Sequence, residues 1–146
     1  MTFVPTTHQN NAITELQQKV GFNQLTAIVW TRAYGRCEYC KQDLLKNRLG
    51  YATGHIDHLL PKSKYPQYKD EIDNLVLSCS SCNGVKSNYD PIHPSENEHQ
   101  MLLNYRHELI DRVRQYLRDQ FRQYDRDWRI VLEILSDIWW EKENVI

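Results

Sequence analysis

Apolar residues recur at helical spacing near both ends of the chain and as short β-prone runs in its middle. From Ile13 to about Tyr34, the positions of Leu16, Val20, Leu25, Ile28 and Val29 predict one or two helices, interrupted at Gly21. Further on, Leu102, Leu109, Val113, Tyr116 and Leu117 keep a helical period, and Ser95 with Glu98 three residues later predicts a capping box at its start. Trp128, Val131, Leu132, Leu135, Ile138 and Trp139 predict a second helix after it. Between these regions, HIDHLLP at 55–61 reads as a strand and LVL at 75–77 as another. Pro61 and Pro66 force the chain out of regular structure, which leaves 62–73 as a polar loop. NGVKSN at 83–88 can make one or two helical turns, and Pro91 and Pro94 close this unit. Residues 1–12 are polar and aperiodic and read as a loose arm, whereas 46–54 carry turn chemistry at both ends.

The pattern predicts an α+β protein with a small two-strand core flanked by an N-terminal helix and C-terminal helices. A length of 146 residues allows one compact core and is short for two, so 1–146 reads as a single domain. Within it, 13–36 form an N-terminal helical segment, 37–90 the core and 95–146 a C-terminal helical extension. Hydrophobic residues at 40% and charged residues at 25% are ordinary globular values. The longest apolar run, LTAIVW at 25–30, is too short to cross a bilayer, so no membrane association is expected. The first residues lack the basic start and apolar stretch of a secretory signal, which predicts a cytoplasmic protein.

Charge changes this picture. The net charge of −1 conceals a stretch from Lys19 to Lys69 with nine Lys and Arg against three acids, attractive to a phosphate backbone. The arginines after residue 105 are interleaved with acids, the pattern of a solvated helix face, and read as scaffold rather than as a nucleic-acid grip. The terminal IWWEKENVI carries two large aromatics that either complete the core or mark a partner surface.

Four cysteines fall as two CxxC pairs, Cys37/Cys40 and Cys79/Cys82. Disulfides within a pair would close tiny loops, and bridges between pairs require an oxidising compartment. Four thiolates are the tetrahedral set that structural zinc prefers, although the gap of 38 residues between the pairs exceeds that of a compact zinc ribbon.

The order CEYC, then HIDHLLPKS, then DNLVLSCSSCNGVKS resembles the HNH endonuclease family over residues 37–88, about a third of the chain. The resemblance implies a ββα-metal unit, or His-Me finger, holding one divalent cation between two short strands and a helix. Phosphodiester hydrolysis needs a cation to neutralise charge and a base to take a proton from water. Asp57 is a hard oxygen ligand suited to Mg²⁺ or Mn²⁺, and His58 offers an imidazole, a group that titrates near neutrality. Adjacent residues of a regular strand point to opposite faces, so the strand must end or distort at this pair. By similarity to the family, Asp57 ligates the cation, His58 is the general base, and Asn83 is the remaining ligand. Lys86, three residues on and on the same helical face, takes a phosphate-contacting role, as does Lys62. Asn74, the middle residue of the family's name, bonds backbone across the loop and holds His58 in line. His55 shares a strand face with Asp57 and is a ligand, a partner of Asp57 or an ordinary strand histidine. His8, His93, His99 and His107 read as surface residues.

The expected function is hydrolysis of DNA phosphodiester bonds with one Mg²⁺ or Mn²⁺ ion and a histidine base, on a scaffold held by structural Zn²⁺. The alternatives are a zinc-stabilised module that binds nucleic acid or protein without cutting, and a nuclease subunit of a larger system such as phage defence. The C-terminal helices would then dock a protein partner or a second copy.

Overall fold

Two four-residue strands form the centre of the fold. β1 (His55–His58) pairs antiparallel with β2 (Leu75–Ser78), in the register His55 with Ser78 and His58 with Leu75. Such a hairpin is not stable alone, and here β2 is buried along its whole length. The structure is a computed structural model and describes residues 2–139 and 141. Residues 59–74 link the strands through two short 3₁₀ turns, Pro66–Tyr68 and Ile72–Asn74. After β2 the chain enters α4 (Ser80–Lys86), capped by Cys79, whose Sγ accepts the Cys82 N–H at 3.3 Å. The result is a mixed α+β architecture with a two-strand sheet and a helix laid beside it.

At the N-terminus, α1 (Thr7–Glu15) begins earlier than its apolar pattern predicts, so most of the expected arm is helical. The cause is a capping box: Thr6 Oγ1 accepts from Gln9 N–H while the Gln9 side chain accepts from Thr6 N–H. A π-helical turn, Leu16–Val20, continues it and stops at Gly21, whose φ of 79° suits a residue without Cβ. α2 (Gln24–Arg32) follows, and α3 (Arg48–Ala52), capped by Asn47, occupies the stretch read as turns.

The C-terminal region departs from expectation in two ways. α5 (Glu98–Asn104) is capped by Asn97 rather than Ser95. Glu96 accepts the His93 N–H at 2.7 Å and pairs with Arg112, and the cap moves one residue beyond it. α6 (Arg106–Ser136) is then one continuous helix of 31 residues, with the break at Tyr105 instead of midway along the extension. No Gly or Pro interrupts 106–136, and pairs such as Arg114–Asp111 and Arg122–Asp119 support the helix locally. Of the two tryptophans near the chain end, Trp139 is exposed and Trp140 lies outside the described residues, as do 142–146.

The core gathers Val29 of α2, Leu59 and Leu60 after β1, Val76 and Leu77 of β2, and Leu109 and Val113 of α6. Arginines tie its layers. Arg32 and Arg106 both reach Glu38 and the Leu75 carbonyl, and Glu38 also accepts the Leu77 N–H at 2.8 Å. Arg114 donates to the carbonyls of Glu38 and Tyr39. These cations are thus part of the scaffold. Among the described residues no helix is long and apolar enough to cross a membrane.

Candidate active site

The four cysteines converge although 38 residues separate the pairs. Cys37 and Cys40 sit on the turn after α2, while Cys79 and Cys82 open α4. Their Sγ atoms all lie within 4.8 Å of one another, and Cys40 and Cys79 are 3.8 Å apart. A disulfide would hold two sulfurs at about 2.05 Å. A tetrahedral zinc with bonds of about 2.3 Å requires sulfur pairs roughly 3.8 Å apart, so the donor set fits that ion. The thiol of Cys37 is drawn far below its ordinary value by hydrogen bonds from Cys40, Cys79 and Cys82, while the same crowding pushes Cys82 up. Four thiolates cannot coexist so closely without a cation among them.

Beside this centre, Asp57 and His58 line one cleft of about 290 Å³, together with Pro61, Lys62, Ser63, Ser87 and Asn88. β1 ends at His58 and Pro61 follows three residues later, which lets both neighbours face the cleft. Asp57 Oδ2 accepts a hydrogen bond from the Tyr39 hydroxyl at 2.7 Å and lies 3.2 Å from Lys86 Nζ. Both contacts fall on Oδ2, so Oδ1 is the oxygen that can face a cation. His58 Nε2 is 3.0 Å from the Lys69 carbonyl oxygen. A carbonyl only accepts, so Nε2 carries the proton in the neutral ring and Nδ1 is the free base.

Asn74 is fully buried at the base of the connecting loop. Its Oδ1 accepts the Leu60 N–H at 2.7 Å, and its Nδ2 donates to the carbonyls of Leu60 at 3.3 Å and Tyr68 at 3.1 Å. The loop that carries Lys69 is thereby closed on itself, and the acceptor of His58 is held in place. Asn83 is half-buried on α4, one turn before Lys86, and does not line the cleft with Asp57 and His58. Lys62 is exposed on the cleft rim. Lys86, expected at a phosphate, is corrected: it is 1% exposed and donates to the His58 carbonyl at 2.8 Å as well as pairing with Asp57. Buried with its ammonium turned inward, Lys86 neutralises Asp57 instead of reaching solvent. His55 is exposed at the far end of β1, and His8, His93, His99 and His107 are exposed as well.

Two features were not read from the sequence. Tyr39, between the two cysteines of the first knuckle, is buried, and burial followed by the nearby Asp57 charge holds its phenol well above the ordinary value. It is therefore a neutral donor linking the thiol centre to Asp57. Its only sequence signal is an aromatic enclosed by a CxxC pair. Ser87 ends α4 with φ of 47°, a strained value for a residue with Cβ, and this turn brings Ser87 and Asn88 to the cleft.

An antiparallel hairpin ending in an acid and an imidazole, followed by a helix anchored at a four-cysteine centre, defines a ββα-metal unit. Residues 37–89 match the family model described as HNH endonuclease, which includes both knuckles, both strands and α4 and leaves the flanking helices outside. The match supports a nuclease in general. No curated protein and no solved structure matches the chain.

Proposed function

We propose that the protein is an HNH-type endonuclease that hydrolyses DNA phosphodiester bonds with one divalent ion and His58 as general base. The observation that carries this reading is the shared cleft of Asp57 and His58, with the imidazole tautomer set by the Lys69 carbonyl. Nδ1 of His58 takes a proton from a water positioned for in-line attack, and the Nε2–H bond to Lys69 stabilises the imidazolium that forms. Lys62 on the rim contacts the phosphate from outside, and Ser63, Ser87 and Asn88 offer hydrogen bonds to its oxygens. Asp57 is the residue of the cleft that would hold the cation, through a carboxylate oxygen suited to Mg²⁺ or Mn²⁺, whereas Asn83, the expected second ligand, does not line that cleft. Such an ion, when bound, neutralises charge at the phosphate and the leaving oxygen.

The test is cleavage of supercoiled, linear and single-stranded DNA, and of RNA, by purified protein in buffers differing only in the divalent ion. His58→Ala should lower cleavage by about 10²- to 10⁴-fold while DNA binding persists. Cleavage at the parental rate would refute the base. A second reading, a zinc-stabilised nucleic-acid-binding module, is favoured by one observation: Lys86 already neutralises Asp57. DNA binding without cleavage under every ion would establish it.

A further inference from the structure

The cleft that holds Asp57 and His58 is walled by two segments of chain on separate supports. Pro61, Lys62 and Ser63 follow β1, whereas Ser87 and Asn88 follow α4. The first segment is a closed turn, because the Pro61 carbonyl accepts the N–H groups of Lys64 at 3.0 Å and Tyr65 at 2.9 Å. Its anchor is the Tyr65 ring, buried in the core. The second segment is anchored on α6 instead. The Tyr89 ring stacks on Tyr116 at 4.0 Å, and Arg112 donates to the Pro91 carbonyl at 2.9 Å. Walls on separate supports need a tie between them if both are to meet one phosphate.

Asp90 supplies such a tie. Its Oδ2 accepts from the Tyr65 hydroxyl at 2.8 Å and from Lys64 Nζ at 2.6 Å, while Oδ1 accepts the Ile92 N–H at 3.0 Å. Asp90 stands two residues after Asn88, and Tyr65 two after Ser63, so the tie lies next to both walls. The geometry points to Asp90 as a positioning residue for the proposed nuclease: on that reading, it holds the walls at the spacing a phosphate requires and keeps the Lys64 ammonium off the nucleic acid. Lys64 is exposed, yet its charge is taken up by Asp90 and lies 5.3 Å from the centre of the Tyr65 ring. Lys62 is then the free cation of the two walls. Asp90 lies just beyond the segment that matches the nuclease family, so the tie is this chain's own.

Single-turnover cleavage of a short DNA duplex, with zinc-loaded protein in excess and Mg²⁺ or Mn²⁺ present, separates rate from affinity. Asp90→Ala should lower the rate at saturation by about tenfold or more, since a displacement of about 1 Å can cost about a hundredfold. Tyr65→Phe keeps the ring in the core, removes only the hydroxyl, and should lower the rate in the same direction. Combined with Asp90→Ala it should cost nothing further, because both changes delete one bond.

Affinity should move the opposite way. In a His58→Ala background, where DNA stays uncut, Asp90→Ala should bind more tightly. Its plot of log Kd against log salt should steepen by about 0.9, the mark of one added phosphate contact by the released Lys64. Adding Lys64→Met should abolish that gain. A merely structural Asp90 would lower the melting temperature and leave the salt dependence unchanged. Parental cleavage in both Asp90→Ala and Tyr65→Phe, or losses that add in the double variant, overturns the tie. An unchanged salt dependence overturns the withholding of Lys64. A parent chain that cuts DNA under no ion overturns the nuclease reading and this role with it, whereas a cutting parent with any of the adverse results above overturns the role of Asp90 alone.

Discussion

Replacing Asn74 by alanine should damage the protein more than any other single change in the loop between the strands. Its amide satisfies the Leu60 N–H and the carbonyls of Leu60 and Tyr68, and both Asn74 and Leu60 are fully buried. Truncation leaves these groups without a side-chain partner where little water reaches them. An unpaired buried donor costs about 1–3 kcal/mol, carbonyls somewhat less, and the small cavity adds to this, for a total of roughly 3–5 kcal/mol. Against a typical global stability of about 5–15 kcal/mol, that is a large fraction. For a chain of this size the melting temperature should fall by roughly 10 °C or more. Differential scanning calorimetry on zinc-loaded protein measures it, with exposed Asn88→Ala as a control expected near the parent. Because Lys69 lies on the same loop, cleavage well below both melting points should also fall. A shift of less than about 3 °C would refute the assignment of Asn74 as the closure of this loop.

Cys79→Ser removes one thiolate of the four-cysteine centre while leaving a hydroxyl able to cap α4, and should lower the melting temperature and the zinc content measured by mass spectrometry. Zinc sites of this kind contribute on the order of 10 kcal/mol of apparent folding free energy, so unchanged melting would contradict a structural role. Tyr39→Phe deletes one neutral donor to Asp57 and should cost only about 1 kcal/mol of stability, while raising the Mg²⁺ concentration needed for half-maximal cleavage with DNA affinity unchanged. An unaltered Mg²⁺ dependence would remove Tyr39 from the positioning of Asp57. Glu96 is held at about 2, below the usual 4.5, by Arg112 and then by the His93 N–H. A depressed carboxyl stabilises the fold above its ordinary value and loses that effect as pH falls toward 2. Glu96→Gln should therefore melt lower than the parent at neutral pH, and the gap should close between about pH 4.5 and 2; a gap independent of pH would refute the pairing.

How much of this was legible in the sequence depended on whether the information was local. The cysteine pairs, the Asp57–His58 neighbours and the end of β1 before Pro61 are matters of residue type and spacing, and could be read directly. The capping box at Thr6 and Gln9 was equally local but lacked an apolar period beside it, so α1 was missed up to Ile13. The continuity of α6 was hidden by the polar run from Arg118 to Asp127, broken only by Phe121 and Tyr124, which imitates a boundary between two helices. Contacts set by tertiary packing could not be read at all. Tyr39 meets Asp57 across 18 residues because the first knuckle is held against β2, and Lys86 turns inward because α4 packs beside β1.

Glu38 belongs to the segment that matches the nuclease family, but both of its guanidinium partners lie outside it, Arg32 on α2 and Arg106 at the start of α6. Grafting residues 37–89 alone onto another protein would strand a half-buried carboxylate under the first knuckle and release the edge of β2. Any transplant of this core must bring a cation from each side, and that requirement makes the flanking helices integral to the portability of the ββα unit.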